Sequence, residues 1–476
     1  MDETSARGVA AGTDAAAAAA ADDAAAGPCY DVAVIGGGVI GHGIAWAARR
    51  SGRSVALIDD APGSGASWAA AGMLAPVSEL HYQEEALLEL MLESSRLWPA
   101  FAAGLEPGGA PGTDTGAVDG PGTGYLTTPT LAVGADAADR RALTDLRTVQ
   151  QSYGLAVEPL TVRAARGREP LLSPGISCAF DIPADHQVDP RRLLARIGEL
   201  LAADTQSHTI NRRAAGLLRE DGRVAGASLA GGGSVRARET IVANGLGAAE
   251  LDGLPEGLRL PLRPVHGDIL RLRVPEKLRP LLTATVRGLV RGVPVYIVPR
   301  QDGTVVIGAT AREDDLGGGS RASAPAGGAV SAGGVYQLLR DAQQLVPAVA
   351  ELELLEATAR ARPGTPDNAP LLGRVADQRS HGDVAGLIIA TGFFRHGILL
   401  TPAAAEICRQ LLDGVADPRW ARFRPDRFAA GPRAAGTGGS STRSNNTTNN
   451  GAPAAGPRST PSRNTPSTPE HSKETL

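Results

Sequence analysis

Asp31-Val32-Ala33-Val34-Ile35-Gly36-Gly37-Gly38-Val39-Ile40-Gly41 is the stretch on which the fold turns. A short apolar run of buried-strand type leads into G-x-G-x-x-G. Ile44 to Arg50 then reads as a helix stopped by Ser51-Gly52, and Ser54 to Asp59 as a second strand. That order makes a βαβ unit. Gly36 permits the tight turn, Gly38 lets the backbone approach a pyrophosphate, and Gly41 lets the helix pack closely on the strand. Val39 and Ile40 complete the turn and are counted as cofactor-binding, and the N-terminus of the helix that follows offers free N–H groups and a positive dipole end to phosphates. Asp59, with Asp60 beside it, closes the second strand, where a carboxylate accepts ribose hydroxyls. The unit reads as a dinucleotide site. The motif alone does not separate FAD from NAD.

The surrounding chain sets bounds. Its 476 residues are 42% hydrophobic and 21% charged, enough for a sizeable core. Net charge is −4 with no basic stripe, which speaks against nucleic acid as a partner. Cys29, Cys178 and Cys408 are odd in number and lack metal-ligand spacing, so neither a disulfide framework nor a zinc site is expected. Of 47 basic residues only Lys277 and Lys473 are lysines, a bias that suits a GC-rich coding sequence. The Ala15–Ala21 run is flanked by acids and lacks a basic n-region, so it reads as a disordered leader. No stretch approaches the roughly 18 apolar residues of a membrane span, and a cytoplasmic protein is expected.

Further along, Asp268 to Val274, Val293 to Val298 and Val305 to Ala309 are strand-like pieces without helices between them, which points to an antiparallel sheet. Leu338 to Leu345 and Ala403 to Leu412 read as amphipathic helices, and Gly386 to Ala390 as another buried strand. Glu106 to Gly124 and Gly317 to Gly334 read as surface excursions. Ala66 to Leu74 is a run of small residues ending in Met73-Leu74. Such a run lets the backbone approach a planar ring system, and serves equally to pack a helix on a sheet.

Several separated segments together resemble the FAD-dependent amine and amino-acid oxidases of the D-amino-acid oxidase type. They are the Gly36–Gly41 fingerprint with Asp59, Ala69 to Leu74, Tyr296 to Arg300 with Val306 to Thr310, Arg362 to Asn368 with Pro370 to Gly373, and Ala390 to Leu400. The resemblance runs from about Tyr30 to Phe428 and is strongest to the glycine-oxidase branch that serves thiamine biosynthesis. It implies FAD, held non-covalently, since no cysteine stands in Ala359 to Pro363 where some sarcosine oxidases tether it. Asp59 replaces the glutamate common at its position.

The resemblance also implies an α/β fold. A discontinuous Rossmann-like FAD-binding domain (30–75, 185–260, 355–428) would carry an inserted antiparallel-sheet substrate domain (76–184, 261–354). Disordered segments at 1–29 and 429–476 would flank them. Arg362, before Pro-x-Thr-Pro-Asp, would bind the substrate carboxylate through a planar, permanently charged fork. Tyr296 would reach the same carboxylate, and Arg395 would support that end. Ser67, Ala71, Gly72 and Met73 would line the flavin with Gly392, Arg395 and His396. The N–H groups of Gly397, Ile398 and Leu399 would face its N1 and C2 carbonyl edge. His42, His186, His266 and His396 are given no catalytic role.

The implied reaction is oxidative deamination of glycine with oxygen, releasing hydrogen peroxide and ammonia, with the imine handed to a thiazole synthase. The alternative is an oxidase or dehydrogenase of sarcosine, another small amine or a D-amino acid, and oxygen and a quinone-linked partner are both compatible as the electron acceptor. A non-catalytic flavin-bound subunit is a third reading, which retention of Tyr296, Arg362 and Arg395 opposes. A homo-oligomer is implied as well.

Overall fold

The computed structural model describes residues 29–80, 84–106, 122–313, 328–380 and 382–429. The expected leader, apart from Cys29, the tail from Ala430 onward, residues 107–121 of the first expected surface excursion and residues 317–327 of the second lie outside the described residues.

The opening strand is Tyr30–Ile35, followed by a helix over Val39–Arg50 and a strand over Val55–Ile58. The two strands are parallel neighbours, with Val34 opposite Leu57. The helix begins five residues ahead of the expected Ile44, because Gly38 is its N-cap and Val39 its first turn. Further parallel strands at Ser207–Ile210, Ser234–Val242 and Leu387–Thr391 extend the sheet, and Leu371–Gly373 closes it antiparallel. A hairpin of Ala214–Glu220 and Arg223–Leu229 branches from Ser234–Val242.

Val32–Ile35, Val55–Ile58 and Leu387–Ala390 are apolar because both faces of the sheet's centre are buried. Val32, Val34, Val55 and Leu57 pack beneath the opening helix and the helices Glu85–Ala103, Pro190–Ala202 and Thr401–Leu412. Ala33, Ile35, Ala56 and Ile58 pack on the side of the hairpin. Local signals start two of these helices. Asp189 accepts from the Arg191 and Arg192 N–H groups with Pro190 in the first turn, and Pro402 stands in the first turn of the last helix.

The second sheet has eight strands. Its order is Glu353–Gly364, Arg263–Arg273, Thr304–Gly308, Val293–Pro299, Thr285–Val290, Thr130–Gly134, Cys178–Ile182, Glu158–Leu160. All pairings are antiparallel except that between Thr285–Val290 and Thr130–Gly134, as expected for strands without intervening helices. One face (Leu270, Val286, Ile297, Ile307) packs on the helix Ala332–Leu345 through Leu338, Ala342 and Leu345. That helix starts inside the stretch expected to be a surface excursion, because Ser331 caps it by accepting from the Gly334 N–H. The opposite face carries Ile269, Tyr296, Val298 and Val306 and meets Ala69, Ala71 and Met73.

Two segments sit apart from the expected division. Glu353–Gly364 pairs along Arg263–Arg273 as the edge of the second sheet, although the expected division places 355–428 in the nucleotide unit. The expected division places helix Glu85–Ala103 in the substrate unit, yet its Leu87, Leu90, Met91 and Trp98 belong to the core of the first sheet. In both cases an apolar or pairing edge finds its complement far away in sequence.

Candidate active site

A cavity of about 620 Å³ runs from the glycine loop, past the segment Gly63–Met73, to the inner face of the second sheet. Its first end is made of backbone. Gly36 has φ +113°, and a Cβ there would lie 2.6 Å from the Ala243 carbonyl carbon. At Gly41 a Cβ would lie 1.8 Å from the Gly36 carbonyl oxygen. These two glycines shape the turn from behind, while Gly38, Val39, Ile40, Asp59 and Asp60 line the cavity. Asp59, expected to accept ribose hydroxyls, is also occupied locally: its carboxylate accepts from the Gly37 N–H at 2.6 Å and the Ala61 N–H at 2.8 Å, so it braces the glycine loop as well. Ser67 Oγ accepts from the Val39 N–H at 3.1 Å, capping the helix where a phosphate would lie.

The middle of the cavity is lined by Ala71, Gly72 and Met73 on one side and Gly392, His396, Gly397, Ile398 and Leu399 on the other. The turn before the last helix is held from outside, with Ser94 Oγ and Trp98 Nε1 donating to the Leu399 carbonyl at 2.7 and 2.8 Å. Within it the His396, Leu400 and Thr401 amides donate to main-chain carbonyls. Among the described residues the Gly397, Ile398 and Leu399 amides donate to no main-chain carbonyl, and the buried Asn244 Oδ1 has no partner. Donors left over at one turn, a helix N-terminus at the other end and a long cavity between them fit a flavin dinucleotide.

At the far end, side chains take over. Arg287, Tyr296, Gly308 and Ile269 stand opposite one another on four adjacent strands, facing the cavity. A Cβ on Gly308 would lie 2.3 Å from Tyr296 Oη, and one on Gly267 would lie 2.2 Å from Arg362 Nη2. Both glycines clear the space that these groups occupy. Arg362 donates to the Thr310 carbonyl at 3.3 Å and, among the described residues, pairs with no carboxylate. Burial pushes the Tyr296 phenol up, with the nearby Arg362 charge opposing.

Arg395 is placed differently. Its Nε donates to Glu79 at 2.8 Å and its Nη2 to Glu84, while Glu79 also accepts from Arg287. Burial by itself raises the Glu79 carboxyl, but Arg287 and Arg395 together hold it well below the usual carboxylate range. Asp185 supports this corner, accepting from the Val77 and Ser78 N–H groups at 3.0 and 2.9 Å. Burial pushes its carboxyl up to about 6.

Residues 31–411 match the family described as FAD dependent oxidoreductase (DAO). The chain belongs to that family. Its cofactor is FAD, and it is an FAD-dependent oxidoreductase. A glycine oxidase of Geobacillus kaustophilus is 34% identical over 393 residues, covering 81% of this chain and 93% of that protein. The crystal structure of glycine oxidase from Geobacillus kaustophilus superposes with a TM-score of 0.69 at 31% identity, over 84% of this chain and 99% of that one. The bifunctional protein ThiO/ThiG of Trichormus variabilis is 31% identical over 401 residues. This chain spans 55% of that relative's length, about half.

Of the residues expected to form this flavoprotein's site, all but Gly36 and Gly41 line the one cavity. Sequence reasoning missed Glu79, Arg287, Pro294 and Arg360, which line it too. Arg287 had a signal, a lone arginine inside the apolar run Thr285–Val290. Glu79 had none, lying in a turn after Met73–Leu74. None of the three cysteines reaches the cavity, and Cys408 is buried in the last helix. Among the described residues no helix is long and apolar enough to cross a membrane.

Proposed function

We propose that this flavoprotein oxidises glycine to its imine, with oxygen as the final acceptor, and that the imine serves thiazole synthesis. The observation that carries the reading is Arg362, a cavity-lining guanidinium with no carboxylate partner among the described residues, beside the hydroxyl of Tyr296. A planar fork of that kind binds one carboxylate through two parallel bonds. Tyr296 Oη donates a third bond, and the absent Cβ atoms of Gly267 and Gly308 leave both groups room. FAD, when bound, accepts two electrons from the substrate α-carbon and passes them to oxygen. The Gly397–Leu399 amides would hold its polar edge and Gly38 to Ile40 its pyrophosphate. The chain's own contribution is orientation: the carboxylate is fixed on the sheet so that the α-carbon is presented toward Met73 and the turn at Gly397.

The likeness to glycine oxidases and to ThiO/ThiG supports both the substrate and the link to a thiazole synthase. The same reading takes the protein as a cytoplasmic homo-oligomer with non-covalent FAD. The test is anaerobic mixing of the yellow protein with glycine, sarcosine and D-alanine in parallel. Fast bleaching of the flavin band by glycine, reversed with peroxide when air enters, is the expected outcome. Bleaching only by sarcosine or D-alanine would move the substrate, and no bleaching by any amino acid would overturn the reading.

A further inference from the structure

Four guanidiniums line the cavity, from Arg287, Arg360, Arg362 and Arg395. Arg360 is turned to the main-chain carbonyls of Ser64 and Ala359, and Arg395 is shared between Glu79 and Glu84. Arg287 stands directly across from Tyr296 on the neighbouring strand, on the side away from Arg362. Its one hydrogen bond and its one ion pair among the described residues are both to Glu79. Glu79 therefore covers a second carboxylate-binding fork at the substrate end, separated from the first by a single tyrosine.

We infer that Glu79 is the specificity-determining residue that restricts this site to amines carrying one carboxylate, by occupying the guanidinium of Arg287. The inference rests on the assignment of Arg362 as the carboxylate fork. A second carboxylate entering beside Tyr296 meets the fixed negative charge of Glu79 and finds Arg287 already paired, so a dicarboxylate amine loses on both counts. Glycine, with nothing beyond its α-carbon, never approaches that corner. Removing the Glu79 charge leaves Arg395 still held by Glu84, so Arg287 is the fork that becomes available.

Binding is read with acids that cannot be oxidised. Acetate carries one carboxylate and malonate two, and each is titrated into the FAD-loaded protein while the flavin spectrum is followed. In Glu79→Gln, malonate should tighten relative to acetate by tenfold or more, and iminodiacetate should gain on glycine in flavin-reduction rate by a similar factor. Glu79→Gln/Arg287→Leu should lose that gain. Arg287→Leu alone leaves Glu79 less compensated and should weaken malonate relative to acetate, which keeps the test open if Glu79→Gln folds poorly. An unchanged malonate-to-acetate ratio in Glu79→Gln, a gain that survives in the double variant, or a ratio that holds or rises in Arg287→Leu would overturn the inference. If acetate binding still depends on Arg362 in that event, the carboxylate assignment stands alone. A wild type that binds neither acid overturns both.

Discussion

The two ends of the cavity are built from different materials. At the dinucleotide end the working groups are main-chain amides, and the side chains that matter are mostly absent ones: Gly36 at φ +113° and Gly41 against the Gly36 carbonyl. At the substrate end the working groups are long charged and aromatic side chains from strands between Arg263 and Gly364, closed by Glu79 from a turn some two hundred residues earlier. The first end tolerates almost no added volume, because the backbone has nowhere to go. The second tolerates side-chain exchange, but each exchange changes which charge is free. A substitution at the first end should therefore remove the cofactor, and one at the second should leave the cofactor and change the substrate.

The sharpest break is Gly41→Val. With a Cβ position 1.8 Å from a carbonyl oxygen, helix and strand must separate. The expected product holds no FAD, measured as loss of the visible flavin band and of protein-bound FAD after gel filtration. A yellow Gly41→Val protein would mean that the turn is not the cofactor's seat. Next in size is the contrast between two arginines. Arg362→Ala should retain FAD and lower kcat/KM for glycine by about 100- to 1000-fold, mostly through KM, the effect of losing a charge-assisted bidentate contact. Arg395→Ala, whose guanidinium is already shared between Glu79 and Glu84, should lower kcat/KM much less while destabilising the fold, measured as Tm. Equal KM effects would return Arg395 to the substrate carboxylate.

The same contrast decides what could be read without a structure. The dinucleotide end is local: strand, glycines, helix and terminal acid fall within thirty residues, and each residue type has one physical reason to be there. The Gly36 turn and the parallel pairing of the first two strands are legible for that reason. The substrate end assembles Arg362, Tyr296 and Arg287 through strand register, and register is a property of pairing that no single segment carries. Arg362 and Tyr296 were reached through resemblance to a family, and Arg395 by the same route came out with a role that its two carboxylate partners now qualify. Gly267 and Gly308 show the same limit in reverse. Each lies within a strand, and each is the space another residue's side chain fills.

Gly308 also gives the finest test. A methyl group there would fall 2.3 Å from Tyr296 Oη, at the end of a side chain that has freedom to turn about its own bonds, so Gly308→Ala should displace the phenol and leave the strand in place. Tyr296 is partly buried, and desolvation holds its phenol above the ordinary range, so the hydroxyl it offers a carboxylate is the neutral donor at any working pH. Moving that donor by an ångström or two removes about one neutral hydrogen bond, worth on the order of 1 kcal/mol, or about a five- to tenfold rise in KM for glycine. FAD content and the Arg362 fork should be untouched, so the kcat of the saturated enzyme should fall little. If the Gly308→Ala change instead lowers kcat with KM constant, Tyr296 contributes to the reacting geometry and not to carboxylate binding. The double variant Gly308→Ala/Tyr296→Phe separates these cases, because a clash acting only through the hydroxyl should add little once that hydroxyl is gone.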